Sequence, residues 1–362
     1  MDIKEYKCPN CGGAVKFDSS AQKMKCPFCD AEFEIADLED YQKELAAPAQ
    51  DRFGWAVENT GKAWDNNELD DLSACSCPSC GAELLGDKNT AAMVCPNCGN
   101  SQIVKKRLEG LLKPDWVIPF KLEKKTATEA LAKFCRGKRL LPNFFREDNH
   151  INSIQGVYLP FWLFDAKAQA HVRYRAAKIK AWSDSKYNYT KTDFYSIVRD
   201  GSMDFAKVPV DGSERMDDSY MDAIEPFDYA QLKDFETAYL SGYIAEKYDV
   251  DAEKGKERAG QRIKNTIETE FARSVIGYTS VIPESSTVDV EGGKVSYSLF
   301  PVWILNTKYR KKDYLFLMNG QSGLLAGRLP VDTAKVWKYT LFLTGIFGVA
   351  FTLIIQTLRI LL

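Results

Sequence analysis

Eight of the chain's ten cysteines fall into four C-x-x-C pairs, Cys8/Cys11, Cys26/Cys29, Cys77/Cys80 and Cys95/Cys98. In each half fourteen residues separate the inner cysteines, Gly12 to Lys25 and Gly81 to Val94, and the second set repeats the first at an offset of 69. The local chemistry repeats as well, as CPNCGG and CPFCD and then as CPSCGA and CPNCGN. A turn that aims two thiolates at one ion requires a left-handed residue, which glycine supplies at little cost. Two such turns complete a tetrahedral four-thiolate site. The spacing therefore predicts two zinc ribbons, each with one structural Zn²⁺: Cys8, Cys11, Cys26 and Cys29 in the first, Cys77, Cys80, Cys95 and Cys98 in the second.

Other uses of these cysteines fit less well. Disulfides need an oxidising compartment, and the opening MDIKEYKCPN carries no apolar signal-like run, so the N-terminal part is expected in the cytoplasm. A redox C-x-x-C occurs singly rather than in matched pairs. Iron tolerates four thiolates, but the ribbon spacing favours zinc. Cys75 competes in register with Cys77, and the knuckle CPSCG favours Cys77. Cys135 falls in a helix expected to open on a Thr126/Glu129 capping box and to turn Leu131 and Phe134 inward, which makes it a core thiol.

Ribbons often touch nucleic acid, so charge is the test. The formal net charge is −2. Residues 1–35 balance at −1 and residues 74–107 reach only +2, while the segment 36–73 holds three cations against ten acidic residues. Such a linker repels a phosphate backbone and suits a spacer or protein-binding strip.

Tyr339 to Leu358 contains no charged residue over twenty positions. As a helix it matches the thickness of a bilayer core, roughly 30 Å. Arg328, Lys335 and Lys338 precede it and Arg359 follows, so the positive-inside rule keeps the preceding domains in the cytoplasm. The expectation is a single-pass cell-membrane protein.

Between ribbons and helix the chain reads as an antiparallel-rich α/β body. Phe164 to Ala176, Phe194 to Val198 and Met203 to Val210 look like strands, the last two joined across Asp200-Gly201. TVDVE and KVSYS flank Gly292-Gly293, and YLFLM precedes Asn319-Gly320, both as hairpins. A helix from Ala252 to Ser274 is expected to bury Ala259, Ile263, Ile267 and Phe271, with Asp251 as N-cap. Leu159-Pro160-Phe161-Trp162-Leu163 echoes Phe300-Pro301-Val302-Trp303-Ile304, which suggests a duplicated sheet with both tryptophans in the core. The fold class is thus α+β: zinc ribbon 1 (1–35), acidic linker (36–73), zinc ribbon 2 (74–107), mixed body (108–333) and transmembrane helix (337–362).

No catalytic constellation emerges. The two histidines, His150 and His171, lie in no ligand or triad motif, and Asp165, Asp211 and Asp228 read as turn or surface acids. Around Gly54, Gly61 and Lys62 the phosphate-loop spacing is wrong and Ala63 stands where Ser or Thr is needed, which argues against an ATPase or helicase motor. The sequon Asn188-Tyr189-Thr190 is silent in the cytoplasm.

The paired CPxC ribbons, GVYLPFWLFD (156–165), VPVDGS (208–213), IEPFDYAQLKDF (224–235), YLSGYIAEKYDVD (239–251) and MNGQSGLLAGRLPVD (318–332) resemble the TFIIB-type zinc-ribbon proteins of Firmicutes over nearly the whole chain. Such proteins are often labelled primosomal-helicase-like from the ribbons alone. Membrane-anchored members resemble adaptors placed beside membrane-stress and band-7-type scaffold proteins. That likeness implies a tethered cytoplasmic adaptor with a protein partner, no catalytic residue and no small-molecule substrate. The alternatives are a ribbon protein that binds nucleic acid in replication or transcription and, third, an enzyme seated in the body.

Overall fold

The computed structural model describes residues 6–10, 12–46, 50–57, 60–64, 72–87, 94–106, 112–147, 151 and 153–361. The protein is α+β with a large, mostly antiparallel sheet system. Its chain forms two compact units, Met1–Asn59 with Phe164–Val210 and Glu253–Val295, and Thr60–Leu163 with Asp211–Ala252 and Ser296–Leu362. The strands Gln155–Ser183 and Ser280–Tyr309 each contribute to both.

In the first unit a small three-stranded sheet, Lys16–Asp18, Lys23–Lys25 and Glu32–Phe33, carries the first ribbon. The helix Ile35–Ala46 follows, and its fully buried Leu38 joins Cys8, Val15, Met24 and Cys26 in the ribbon's core. Strand Arg52–Ala56 then pairs in parallel with Ser280–Tyr309. Part of the acidic stretch is thus packed structure. The helix Ala252–Arg273 buries Ala259, Ile263 and Ile267 completely, as its apolar stripe requires, with Phe271 half-buried.

Two expected turns are absent, for one physical reason. Gly292-Gly293 lies inside the continuous strand Ser280–Tyr309, where the pairing with Arg52–Ala56 shifts register between Val290 and Gly293. Gly292 takes φ +63°, and a Cβ on Gly293 would stand 2.0 Å from Cδ1 of Trp55. The glycines form a bulge that admits the buried indole of Trp55, whose Nε1 donates to the Asp165 carbonyl at 2.9 Å. Gly201 likewise sits within the unbroken strand Asn188–Asp211, where a Cβ would press on the Phe271 ring at 3.1 Å. In both places glycine makes room for an aromatic ring. The other expected hairpin is present: Lys312–Asn319 pairs antiparallel with Leu325–Gly327, and Asn319 N–H closes the loop on the Leu324 carbonyl at 2.9 Å.

The second unit contains the duplication. Pro160 and Pro301 each accept a hydrogen bond at 2.8 Å from a glycine N–H, Gly212 and Gly320 respectively. Each glycine carbonyl in turn accepts N–H bonds, Gly212 from Asp249 and Val250, Gly320 from Lys121 and Leu122. The circuit closes when Trp162 Nε1 donates to Val250 O at 2.8 Å and Trp303 Nε1 to Leu122 O at 3.2 Å. Strand registers agree too, since Ile244 lies opposite Val157 and Trp116 opposite Ser298, both in parallel pairs. Each partner sits three residues before its proline, and each short-strand residue six before its circuit residue. Both indoles are buried, Trp162 among Tyr248 and Tyr297, Trp303 against Phe120.

The first helix of the body, Lys124–Cys135, starts after Glu123 with no side-chain cap, so Thr126 lies inside it rather than opening it. Its Ala127, Leu131 and Cys135 are buried. The final helix, Thr333–Leu361, is long and apolar enough over Thr333–Thr357 to cross a membrane, and none of that span is buried.

Candidate metal centres

All four cysteine turns share one backbone design. In the second ribbon Cys77 N–H donates to Ala82 O at 2.9 Å and Gly81 N–H to Cys77 O at 2.8 Å; Cys95 with Asn100 and Gly99 repeats both bonds at 2.8 and 2.9 Å. In the first ribbon the same pairs are Cys8 with Gly13 and Gly12, and Cys26 with Ala31 and Asp30. The residue after each second cysteine is left-handed: Gly12 at φ +75°, Gly81 at +74°, Gly99 at +71° and Asp30 at +57°. The turn thus imposes the same conformation even where the sequence offers an aspartate.

The thiols converge as these turns require. Sγ atoms of Cys77, Cys80, Cys95 and Cys98 all lie within 4.8 Å of one another, with Cys77–Cys98 and Cys80–Cys95 both at 3.5 Å. Four sulfurs about one zinc stand roughly 3.8 Å apart when each bond is about 2.3 Å, so the donor set fits a four-thiolate cation site. In the first ribbon Cys8, Cys26 and Cys29 meet, with Cys8–Cys29 at 3.6 Å. Cys11 lies outside the described residues. These two clusters can hold metal ions. For Cys77 burial opposes ionisation but is outweighed by the N–H groups of Cys80 and Ser79 together with the thiols of Cys98 and Cys80, which bring its thiol down to about 7. Cys75 and Cys135 join neither cluster: Cys75 is buried with Ser73 Oγ as neighbour at 3.9 Å, and burial pushes the Cys135 thiol up.

The second ribbon is wired into its unit. Its strand Glu83–Asp87 pairs antiparallel with Ile244–Glu246, placing Leu84 opposite Glu246. Arg215 donates to the carbonyls of Cys80 and Gly81, both at 3.3 Å, and ion-pairs with Asp249. Glu246, fully buried, accepts from Asn97 Nδ2 at 2.9 Å and from Ser213 Oγ at 3.3 Å. Asn97 lies between the ligand cysteines Cys95 and Cys98. Burial pushes the Glu246 carboxyl up to about 7, although the Asn97 bond opposes the shift.

Sequence reasoning missed Glu246. The duplication supplies the signal, because the matching position in the other copy, two residues beyond Trp116, is the buried Ile118. A carboxylate therefore stands where the other copy has an apolar core residue, and among the described residues its short strand is the one paired with a ribbon strand.

Of the three acids named earlier, Asp165 and Asp228 hold backbone. Asp165 Oδ1 accepts Lys207 N–H at 2.7 Å, and Asp228 Oδ1 accepts Ala230 N–H at 3.0 Å. Asp211 is buried. His150 lies outside the described residues. His171 Nδ1 meets Asp200 Oδ1 at 2.5 Å in an open cleft of about 560 Å³, also lined by Arg52, Gln169, Thr287 and Asp289.

A protein of Bacillus subtilis (strain 168), uncharacterized protein YdjG, is 35% identical over 349 residues, 96% of each chain. The chain belongs to the YdjG family. No family model matches it. No solved structure matches it either. At 96% of each chain, the match takes in the body as well as the ribbons.

Proposed function

We propose that this chain is a membrane-tethered cytoplasmic adaptor. Two structural zinc ions, one per ribbon, fix the ribbon surfaces, and the helix Thr333–Leu361 crosses the membrane once with the ribbons inside the cell. The observation that carries the reading is on the first ribbon. Phe28 is 75% exposed and Phe17 51%, with Ile35 also exposed, so a rigid metal-braced turn offers apolar rings to water. Two of its lysines are matched close by: Lys23 with Glu34 at 3.0 Å, Lys25 with Glu32 at 3.7 Å and Asp30 at 3.8 Å. Apolar rings among paired charges favour a protein partner over a phosphate backbone. The likeness to TFIIB-type ribbon proteins suggests a membrane-stress or band-7-type scaffold as that partner.

Co-purification from detergent-solubilised membranes tests this. The reading expects a stoichiometric partner that is lost from the Phe17→Ser, Phe28→Ser double variant while the metal content stays at wild-type level. Salt-sensitive binding of nucleic acid by the first ribbon, or turnover depending on His171 and Asp200, would replace it.

A further inference from the structure

The strands Gln155–Ser183 and Asn188–Asp211 pair and run out past the packed sheet as a two-stranded arm. Every residue from Ile179 to Thr192 is exposed, so the arm has no covered face. The duplication shows that the fold does not need it. After Trp303 the equivalent strand stops at Tyr309 and turns back through Arg310 and Lys311, whereas after Trp162 the strand runs on to Ser183. A two-stranded ribbon exposed on both sides is marginal in water, and this one is held by local devices. Asp184 accepts the N–H groups of Lys186 and Tyr187 at 2.8 and 2.7 Å and the Tyr189 hydroxyl at 2.9 Å. Trp182 stacks on Tyr189 with centroids 5.5 Å apart.

The exposed surface has a definite chemistry. Trp182 is 52% exposed, Tyr187 64% and Ile179 46%. From Lys178 to Asp193 four lysines face two aspartates, of which Asp184 is turned into the turn and Asp193 meets Lys191 at 3.0 Å. Indole and phenol rings with a polar edge, set among lysine stems, match the headgroup layer of a bilayer, where aromatic bodies sit at the boundary and ammonium groups meet lipid phosphates. A net surplus of two is small for a nucleic-acid backbone at physiological salt. The Trp182 and Tyr189 rings are also spent on each other rather than parted for a base. We infer that the arm Ile179–Thr192 docks on an anionic membrane surface, laying Trp182 and Tyr187 into the headgroup layer. The inference rests in part on the tether proposed above, which keeps the chain at the bilayer and raises the arm's effective concentration there.

The experiment uses the full-length protein reconstituted into vesicles of phosphatidylcholine with or without phosphatidylglycerol. Trp182 emission is isolated as the difference between wild type and Trp182→Phe, and read by acrylamide quenching against the same protein in detergent. Flotation after a carbonate wash reports the tether in the same sample. The inference expects Trp182 to be shielded in phosphatidylglycerol vesicles and re-exposed by salt. Each of Lys180→Gln and Lys186→Gln should lower arm occupancy roughly fivefold; both sites are exposed, so folding is not at stake. Protein that floats with Trp182 as open as in detergent overturns the arm and leaves the tether standing. Protein stripped by carbonate whose Trp182 was shielded beforehand overturns the tether and supports the arm. Failure of both readouts overturns both. Shielding by an added oligonucleotide but not by lipid assigns the arm to nucleic acid and overturns the inference.

Discussion

Asn97 donates its side-chain amide to the buried carboxylate of Glu246 at 2.9 Å, which joins a residue between two ligand cysteines to a strand of the body. Glu246 holds its proton more tightly folded than unfolded, where its ordinary value is 4.5. Between about 4.5 and about 7 the folded state therefore binds more protons than the unfolded one, and stability falls as the pH rises through that window. Above it the loss is complete and level. Glu246→Gln keeps an acceptor for Asn97 and cannot ionise, so it should flatten this component and be more stable than wild type at pH 8, by up to about 3 kcal/mol. Urea unfolding of the two proteins compared from about pH 5.5 upward measures it; parallel curves would remove Glu246 as the cause.

Metal analysis should find two zinc ions per chain. Cys80→Ser should leave one, and since the second ribbon's strand pairs with Ile244–Glu246, the loss should also lower the stability of its unit by several kcal/mol, on the order of 3. An unchanged melting curve for the Cys80→Ser protein would show that the strand pairing holds without the ion.

Asp30 is the single non-glycine among the four left-handed knuckle residues described. A side chain there costs about 1 kcal/mol, somewhat less for Asp. Asp30→Gly should slow metal release from the first ribbon to a chelator by a few-fold, roughly threefold, and Asp30→Ala should speed it. Loss of the exposed contact to Lys25 at 3.8 Å offsets little of this.

Gly293→Ala places a methyl group against Trp55 in a closed core. It should destabilise the first unit by about 2–3 kcal/mol, as overpacking does. Trp55→Phe, which gives up the bond to Asp165 O, should partly restore Gly293→Ala; denaturant midpoints of the single and double variants report the coupling.

A chain ended after Val336 retains Lys335, whose ammonium donates to Leu141 O at 2.6 Å and Asn143 Oδ1 at 2.8 Å, and loses only exposed helix. It should be released to the soluble fraction with its zinc, while the full chain should resist carbonate extraction and keep its ribbons shielded from protease outside intact cells.

The cysteine turns were legible because their chemistry is local: ligand spacing, proline and the left-handed residue all lie within six positions. The amphipathic helix at Ala252 and the apolar helix at the end were legible through periodicity and length. Gly292-Gly293 misled because a two-glycine turn and a two-glycine bulge read alike, and Trp55, which decides between them, lies far away in sequence. The P-x-W echo showed half of the duplication. Its other half runs through the backbone of Gly212, Gly320, Val250 and Leu122, and backbone hydrogen bonds leave no side-chain pattern to read.

The two circuits cross along the chain: Val250, which follows the strand Ile244–Glu246 and precedes Pro301, serves Trp162 and Gly212, while Leu122, which precedes Pro160, serves Trp303 and Gly320. The bonds that satisfy each indole N–H and glycine carbonyl thus tie one half to the other, and the two halves fold as one unit. Outside this shared lock the halves differ: one meets a ribbon through Glu246, and the other carries the arm.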